Sequence, residues 1–308
     1  MRARPAPPGP RLPARGARGS DGRDGSPCHT GRVTELLDNP RSSRVRTVAQ
    51  LSRKEVRAET RRFLLEGPQA VSEALRFRPE LLHDLFATPT ALERHPELGE
   101  AAAAADLPVV FVTEQVLEAM ADTVTPQGVV AVCEQFPTSV KDVFRPGAGE
   151  DAGLPGLVAI LEQVRDPGNA GTIIRAADAA GAQAVVMTGR SVDPYNPKVV
   201  RSTTGSLFHV PVSVGVELAS AVDRARAAGY TVLAADVSGD ELPVVRSDGM
   251  LDGPTAWVFG NEARGLTAAD LALVDRAVRV PIYGQAESMN LATAASVCLY
   301  ESAFAHRS

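Results

Sequence analysis

The chain has 308 residues, of which 44% are hydrophobic and 22% charged, and its formal net charge is -5 at pH 7. Length and composition predict a soluble protein of two domains with room for a sizeable core. No apolar run approaches the roughly 18 residues of a membrane span, and the mild acidity argues against a binder of nucleic acid over its whole surface, while leaving a local basic patch open.

Residues 1–32 are rich in Pro, Arg and Gly and nearly free of large apolar side chains. They bury too little to offset ordering entropy, so a disordered tail is expected, or an upstream start with the true one near Val33. Residues 41–62 turn basic: Arg41, Arg44, Arg46, Arg53, Lys54, Arg57, Arg61 and Arg62 meet only Glu55 and Glu59. Val45, Val48, Ala49 and Val56 recur at near-helical spacing, which predicts a packed face and a cationic one. The cationic face either neutralises phosphates, with Arg53, Lys54 and Arg57 as candidates, or is simply solvated. Alternation then predicts strands over 63–66, 81–87, 109–112 and 129–136, with helices over 68–77, 91–105 and 114–121. Residues 41–136 therefore form a small α/β domain without a catalytic cluster. The Pro-, Gly- and acid-rich stretch 137–155 reads as the linker; its Gly147-Ala-Gly149 has no strand before it and no helix after it, so it is no dinucleotide loop.

The second domain, 156–306, predicts strands over 157–164, 184–188, 210–214, 231–236, 255–259 and 277–282, with helices between most of them. That order implies a mostly parallel sheet covered on both faces, whose ligands sit beyond the carboxyl ends of the strands. Three strand ends carry polar loops: 166–175, 260–265 and 283–290. Each alone is explained as a turn with a helix cap. Together they gather Asn169, Arg175, Glu262, Ser288 and Asn290 at one edge of one sheet, where a functional site is expected. Asn290 opens a small-residue helix, so unpaired N–H groups face that edge. Cys28, Cys133 and Cys298 lie far apart without metal-ligand spacing, which fits reduced thiols in the cytoplasm better than a disulfide frame.

Asn-x-Gly-Thr-Ile-x-Arg over 169–175, Phe-Gly-Asn-Glu-x-x-Gly-Leu over 259–266, and Val-Pro-Ile with Ser-Met-Asn-Leu-Ala-Thr-Ala over 280–294 resemble, in order and spacing, the three motifs of the SpoU/TrmH family. These are RNA ribose 2′-O-methyltransferases of the SPOUT superfamily. The first domain, with Phe63-Leu-Leu-Glu-Gly-Pro and Thr125-Pro-Gln-Gly, is similar to that family's substrate-binding domain. The resemblance implies a C-terminal trefoil knot, exceptional by general topology rules, S-adenosylmethionine as methyl donor, and a homodimer with active sites at the subunit interface. By position it implies cofactor contacts at Gly260, Val280 and Met289, with Ile282 and Leu291 lining an adenine pocket. It also brings Arg201, in the Lys198 to Gly205 segment, to RNA phosphate.

A ribose 2′-OH must lose its proton as it attacks the sulfonium methyl, and the attack must be in line. By resemblance Arg175 activates the hydroxyl. An arginine hardly deprotonates, so phosphate binding and stabilisation of the developing alkoxide are physically easier for it. Asn169 and Asn290 would orient Arg175 and the ribose, Glu262 would fix Arg175 or the partner loop, and Ser288 would hold substrate or cofactor. No metal is needed. Glu287 and Arg264 read as solvated or interface charges. The expected substrate is 23S ribosomal RNA, possible self-protection against an antibiotic included. Transfer RNA, a catalytically silent RNA-binding or assembly factor, and an unrelated nucleotide-binding α/β protein are the competing readings.

Overall fold

The computed structural model describes residues 36–145 and 154–308. The expected tail 1–32, with Cys28, and the Gly147-Ala-Gly149 segment lie outside them.

The basic stretch folds as α1 (Ser43–Ala49), a 3-10 turn at Gln50–Ser52 and α2 (Lys54–Thr60). Four strands follow, β1 (Arg62–Glu66), β2 (Leu82–Ala87), β3 (Val109–Phe111) and β4 (Val129–Glu134), in the order β1-β4-β2-β3. Between them run α3 (Pro68–Phe77), α4 (Pro89–Arg94), α5 (Pro96–Ala104) and α6 (Glu114–Met120). The single helix expected over 91–105 is two, because Pro96 supplies no N–H and forces His95 out of the helical region, at φ -131° and ψ 62°.

The second sheet has six strands: β5 (Leu157–Glu162), β6 (Ala184–Thr188), β7 (Val212–Val216), β8 (Thr231–Glu241), β9 (Thr255–Phe259) and β10 (Arg276–Arg279). Their order is β10-β8-β9-β5-β6-β7 and every pairing is parallel. Alternate side chains of one strand feed opposite cores. Leu157, Ala159 and Leu161 pack with Ile173 and Ile174 of α8 (Pro167–Ala180) and Leu299 of α13 (Leu291–Ala305), while Val158 and Ile160 pack with Leu218 and Val222 of α10 (Leu218–Ala227). Trp257 is fully buried, and its indole N–H donates to Ser302 Oγ at 2.9 Å, which ties α13 to the sheet.

Other elements also differ from their expected extents, β8 among them, which runs on to Glu241 instead of ending near 236. The strand expected over 277–282 stops at Arg279 and pairs only with β8, so among its residues Val278 alone is fully buried. Of the helices expected between the strands, α11 (Leu242–Ser247) and α12 (Ala268–Leu271) are short, the second opened by a capping box between Thr267 and Asp270. Asp275 is drawn to the sheet instead, where Oδ2 accepts from Val232 N at 2.7 Å. Within the stretch expected as linker, α7 (Val140–Val143) packs down, and Phe144 meets Tyr230 edge-on at 5.5 Å.

The two sheets share one core. Phe63 of β1 stacks near Tyr195 and Phe208, and Tyr195 Oη accepts from Phe136 N at 2.9 Å. Arg57 belongs to this junction. It is 1% exposed, donates from Nε and Nη2 to Asp193 Oδ2 at 2.9 and 2.7 Å, and from Nη1 to the carbonyls of Leu51 and Ser52. That corrects its expected role: a guanidinium with these donors occupied in a buried pocket offers nothing to RNA. Arg201, in α9 (Pro197–Thr203), is likewise engaged, with Glu66 at 2.8 Å and Asp122 at 3.0 Å. Arg53 and Lys54 are exposed.

Candidate active site at the carboxyl edge of the six-stranded sheet

The chain lays β5, β6 and β7 outward on one side and β9, β8 and β10 on the other, so the order reverses between β5 and β9. Loops after such neighbours diverge and leave a crevice. Here the loops after β5, β9 and β10 meet, and a cavity of about 470 Å³ opens among them.

Hydrogen bonds fix its polar wall. Asn290 is the N-cap of α13, its Oδ1 accepting from Ala292 N at 2.9 Å and Thr293 N at 3.2 Å. Its Nδ2 therefore points away from the helix and donates to Asn169 Oδ1 at 2.9 Å. That bond sets Asn169's amide, turning Nδ2 toward Glu262 Oε1 at 3.5 Å. Glu262 in turn accepts from Arg165 N at 3.1 Å and Asp166 N at 2.9 Å. Its carboxylate fixes the loop entering α8 and not Arg175, so its role is to position.

The next loop is drawn tight by Asn261, whose Nδ2 donates to Gln163 O at 2.8 Å while its Oδ1 accepts from Ala263 N and Arg264 N. A Cβ on Gly260 would fall 2.7 Å from Gly265 C, so this turn demands glycine. Gly260, expected at the cofactor, is buried beneath the lining residues 261–265, where it lets the loop close.

Val280, Ile282, Met289 and Leu291, the residues expected at the cofactor, line the cavity together with Ser288, Asn169, Glu262 and Asn290. Arg175 does not. It is exposed on α8, six residues beyond Asn169, hence about 9 Å along an ideal helix and on another face. Asp236, Val237 and Arg264 line the cavity unforeseen. The first two sit on a bulge: Ala277 pairs with Ala234 and Val278 with Asp240, so residues 235–239 loop out beside β10. A Cβ on Gly239 would lie 2.2 Å from Ala277 C, which makes the glycine obligatory there. The glycine at 239 was the one local signal of this wall.

Residues 156–300 match the SpoU rRNA Methylase family, and residues 64–139 match RNA 2′-O ribose methyltransferase substrate binding. The 23S rRNA (guanosine(2553)-2′-O)-methyltransferase RlmP of Bacillus subtilis is 34% identical over 268 residues, covering 86% of this chain and 97% of that protein. The chain belongs to the SpoU rRNA methylase family. Another SpoU relative, the 23S rRNA (uridine(2479)-2′-O)-methyltransferase of Streptomyces viridochromogenes, is 39% identical over 181 residues, 57% of this chain and 60% of that protein. Among solved structures, the AdoMet-bound rRNA methyltransferase of Sinorhizobium meliloti superposes with TM-score 0.72 at 28% identity, covering 87% of this chain and 97% of that one. The expected activity class, an RNA ribose methyltransferase, and the expected methyl donor, S-adenosylmethionine, stand on this SpoU membership.

The cavity's chemistry fits that donor. Its volume lies in the range of cofactor sites. Val280, Ile282, Leu291 and Ala294 give an apolar wall for a purine, and the Asp236 and Glu262 carboxylates suit a cationic sulfonium.

Proposed function

We propose that the protein methylates a ribose 2′-oxygen of large-subunit ribosomal RNA in the cytoplasm, as a homodimer whose active sites combine both subunits. The observation that carries this reading is the Asn290–Asn169–Glu262 chain at the mouth of a cofactor-sized cavity. Two relatives support the ribosomal substrate, since their names place methylation on 23S rRNA. One modifies a guanosine and the other a uridine, so the shared loops serve the ribose and not the base.

When bound, S-adenosylmethionine supplies an electrophilic methyl group. Val280, Ile282, Met289 and Leu291 would hold its nucleoside, and Ser288 its polar rim or the ribose. The chain's own groups orient the nucleophile. Asn290 and Asn169 each keep one amide N–H beyond those in the Asn290–Asn169–Glu262 chain, and these suit a ribose oxygen. Glu262 already accepts two backbone N–H groups, so it holds the α8 entrance rigid and does not serve as base. Arg175, exposed and outside the cavity of its own subunit, is the group a second subunit would deliver, where it binds phosphate and stabilises developing alkoxide charge.

Two features support the dimer. Along α13, Tyr300 and Phe304 form an outward stripe, 38% and 53% exposed, with their rings 5.6 Å apart. A helix apolar on nearly every side is a buried helix, and the Tyr300 and Phe304 side of this one lacks a cover among the described residues. Residues 282–288 at the cavity rim are also exposed. The knotted threading belongs to the same reading: β10 returns to the far edge beside β8, and α13 then crosses back to pack on α8. Arg53 and Lys54 extend the RNA-facing surface in this reading. Among the described residues no helix is long and apolar enough to cross a membrane.

The test is methyl transfer from labelled S-adenosylmethionine to ribosomal and transfer RNA separately, followed by ribose-methyl mapping. Label at one 2′-oxygen of large-subunit RNA is expected. Label confined to transfer RNA, or cofactor binding without transfer to free RNA or ribosomal particles, would overturn it.

A further inference from the structure

The same sheet edge carries a second hollow, about 420 Å³, over the carboxyl ends of β5, β6 and β7. Gln163, Arg165, Gly189, Arg190, Glu217 and Arg264 line it, so three arginines and one glutamate border the hollow. All three arginines are exposed, and among the described residues none lies within ion-pair distance of a carboxylate. Arg226, Arg246, Arg276 and Arg279 of the same sheet unit are all paired. Arginines left unpaired in a concavity raise its positive potential and present forks matched to phosphate oxygens.

The hollow is built, not incidental to a loose loop. Gln163 takes a left-handed φ of +52° although it is not glycine, and two bonds hold it there. Asn261 Nδ2 donates to its carbonyl at 2.8 Å, and Arg264 Nη2 donates to its Oε1 at 2.9 Å. A Cβ on Gly189 would fall 2.9 Å from both Gln163 Cγ and Glu162 Oε1, so the floor is tight. Glu162 is buried, accepts from Thr188 Oγ1 at 2.6 Å, and does not line the hollow. Arg264 is common to this hollow and the methyl-transfer cavity, and the Arg165 N–H is held by Glu262. An anion held here is therefore the neighbour of whatever enters the cavity.

We infer that Arg165, Arg190 and Arg264 cradle a backbone phosphodiester of the RNA strand that flanks the target ribose. The inference rests on the reading of the substrate as RNA. It gives the enzyme a sequence-independent register point one step from the reacting 2′-oxygen, and Glu217 limits how tightly that phosphate is held. The same forks bind carboxylates, so the test must separate RNA phosphate from the cofactor's carboxylate.

The experiment compares the full-length wild type with the R165Q/R190Q double variant and with E217Q, whose altered side chains are exposed. Protein-free large-subunit ribosomal RNA is the probe, titrated between about 50 and 200 mM salt, where affinity falls with the number of phosphates neutralised. For R165Q/R190Q the log–log salt slope is expected to become shallower by about one to two. RNA affinity at low salt should drop about tenfold, with S-adenosylmethionine affinity and kcat at saturating RNA unchanged. E217Q should bind RNA about twofold to threefold tighter, since it removes a carboxylate facing the phosphate. An unchanged slope and RNA affinity, with methyl transfer intact, would overturn the cradle and leave the enzymatic reading standing. Lost cofactor affinity with unchanged RNA affinity would overturn it by assigning the hollow to the cofactor. A shallower slope and weaker RNA binding in R165Q/R190Q, beside a wild type that transfers no methyl group, would uphold the cradle and remove the enzymatic reading alone.

Discussion

Asn290 Nδ2 lies 2.9 Å from Asn169 Oδ1, across 121 residues of chain. One side chain thus performs two tasks with opposite ends: its oxygen caps α13 and its nitrogen sets the amide of Asn169. Asn290→Asp separates them. The capping oxygen survives, so thermal stability should change little. The donor to Asn169 is gone, and Asn169 must turn its oxygen toward Glu262 or lose its partner. A kcat loss of about 10²-fold to 10³-fold is expected, the scale of removing one preorganised donor. Asn290→Ala should lose that activity and, in addition, about 1 kcal/mol of stability with the cap. Denaturation midpoints beside single-turnover rates check both; wild-type turnover in the Asp variant would end the positioning argument.

Arg57 and Arg53 are four residues apart in a basic run and should behave in opposite ways. Arg57→Met leaves the partly buried Asp193 without its guanidinium and strips two carbonyls of their donor. Breaking one side of such a pair costs about 3–5 kcal/mol. Arg53→Glu touches only solvent and should leave stability within about 0.5 kcal/mol, while weakening RNA binding in a salt-dependent way. Equilibrium denaturation with RNA titration checks the contrast.

This contrast shows what the sequence could and could not display. The three loops were legible because their residue types announce local geometry: Asn290 caps a helix, and Gly260 closes a turn that no Cβ could enter. The parallel sheet was legible from strand–helix alternation. Arg57 was not, since helical spacing places it beside solvated arginines, and the carboxylate that helps draw it inward, Asp193, lies 136 residues away. The cavity wall at 235–239 was hidden for the same reason. It exists because β10 skips register against β8, a pairing between strands that local pattern cannot reveal.

Gly171 stands inside the first of the three loop motifs, yet it serves packing. A Cβ there would lie 2.5 Å from Ser202 Cβ and 2.7 Å from Val199 O, so α8 and α9 touch through it. Gly171→Ala is expected to destabilise by about 1–3 kcal/mol, partly offset by the alanine's better helix propensity. Cofactor affinity measured by calorimetry in the folded variant should stay within about twofold of wild type, because the strain lies away from the cavity. A large affinity loss at unchanged stability would move Gly171 into the site.

Cys298 is fully buried in α13, and burial pushes its thiol up to about 12; Cys133 is buried in β4 and pushed up as well. Both are raised above the unfolded value, so their contribution to stability is complete below about pH 8.5 and is lost as pH climbs toward the folded values. Each should cost about 1.4 kcal/mol per pH unit above that point. Native protein should resist alkylation at both positions near neutral pH, and denaturant should expose them together. Peptide mapping after a short iodoacetamide pulse reads this directly; rapid labelling of either thiol in the folded chain would contradict the burial.

The distance of Arg175 from its own cavity makes the subunit question decidable by mixing. In the proposed dimer, Arg175 of one subunit serves the Asn290 of the other, so Arg175→Ala and Asn290→Asp homodimers each lack one group at every site. A mixed dimer of the two has one site with both groups intact and one with neither. Random exchange at equal amounts makes about half the dimers mixed, so about a quarter of all sites should regain activity. If the site were complete within one chain, each mixed site would keep the defect of its own subunit and mixing would restore nothing. Phe304→Glu supplies the control. A charge in the stripe formed with Tyr300 should weaken self-association at least tenfold by sedimentation. It should abolish the regained activity too, although neither Phe304 nor Tyr300 lines the cavity.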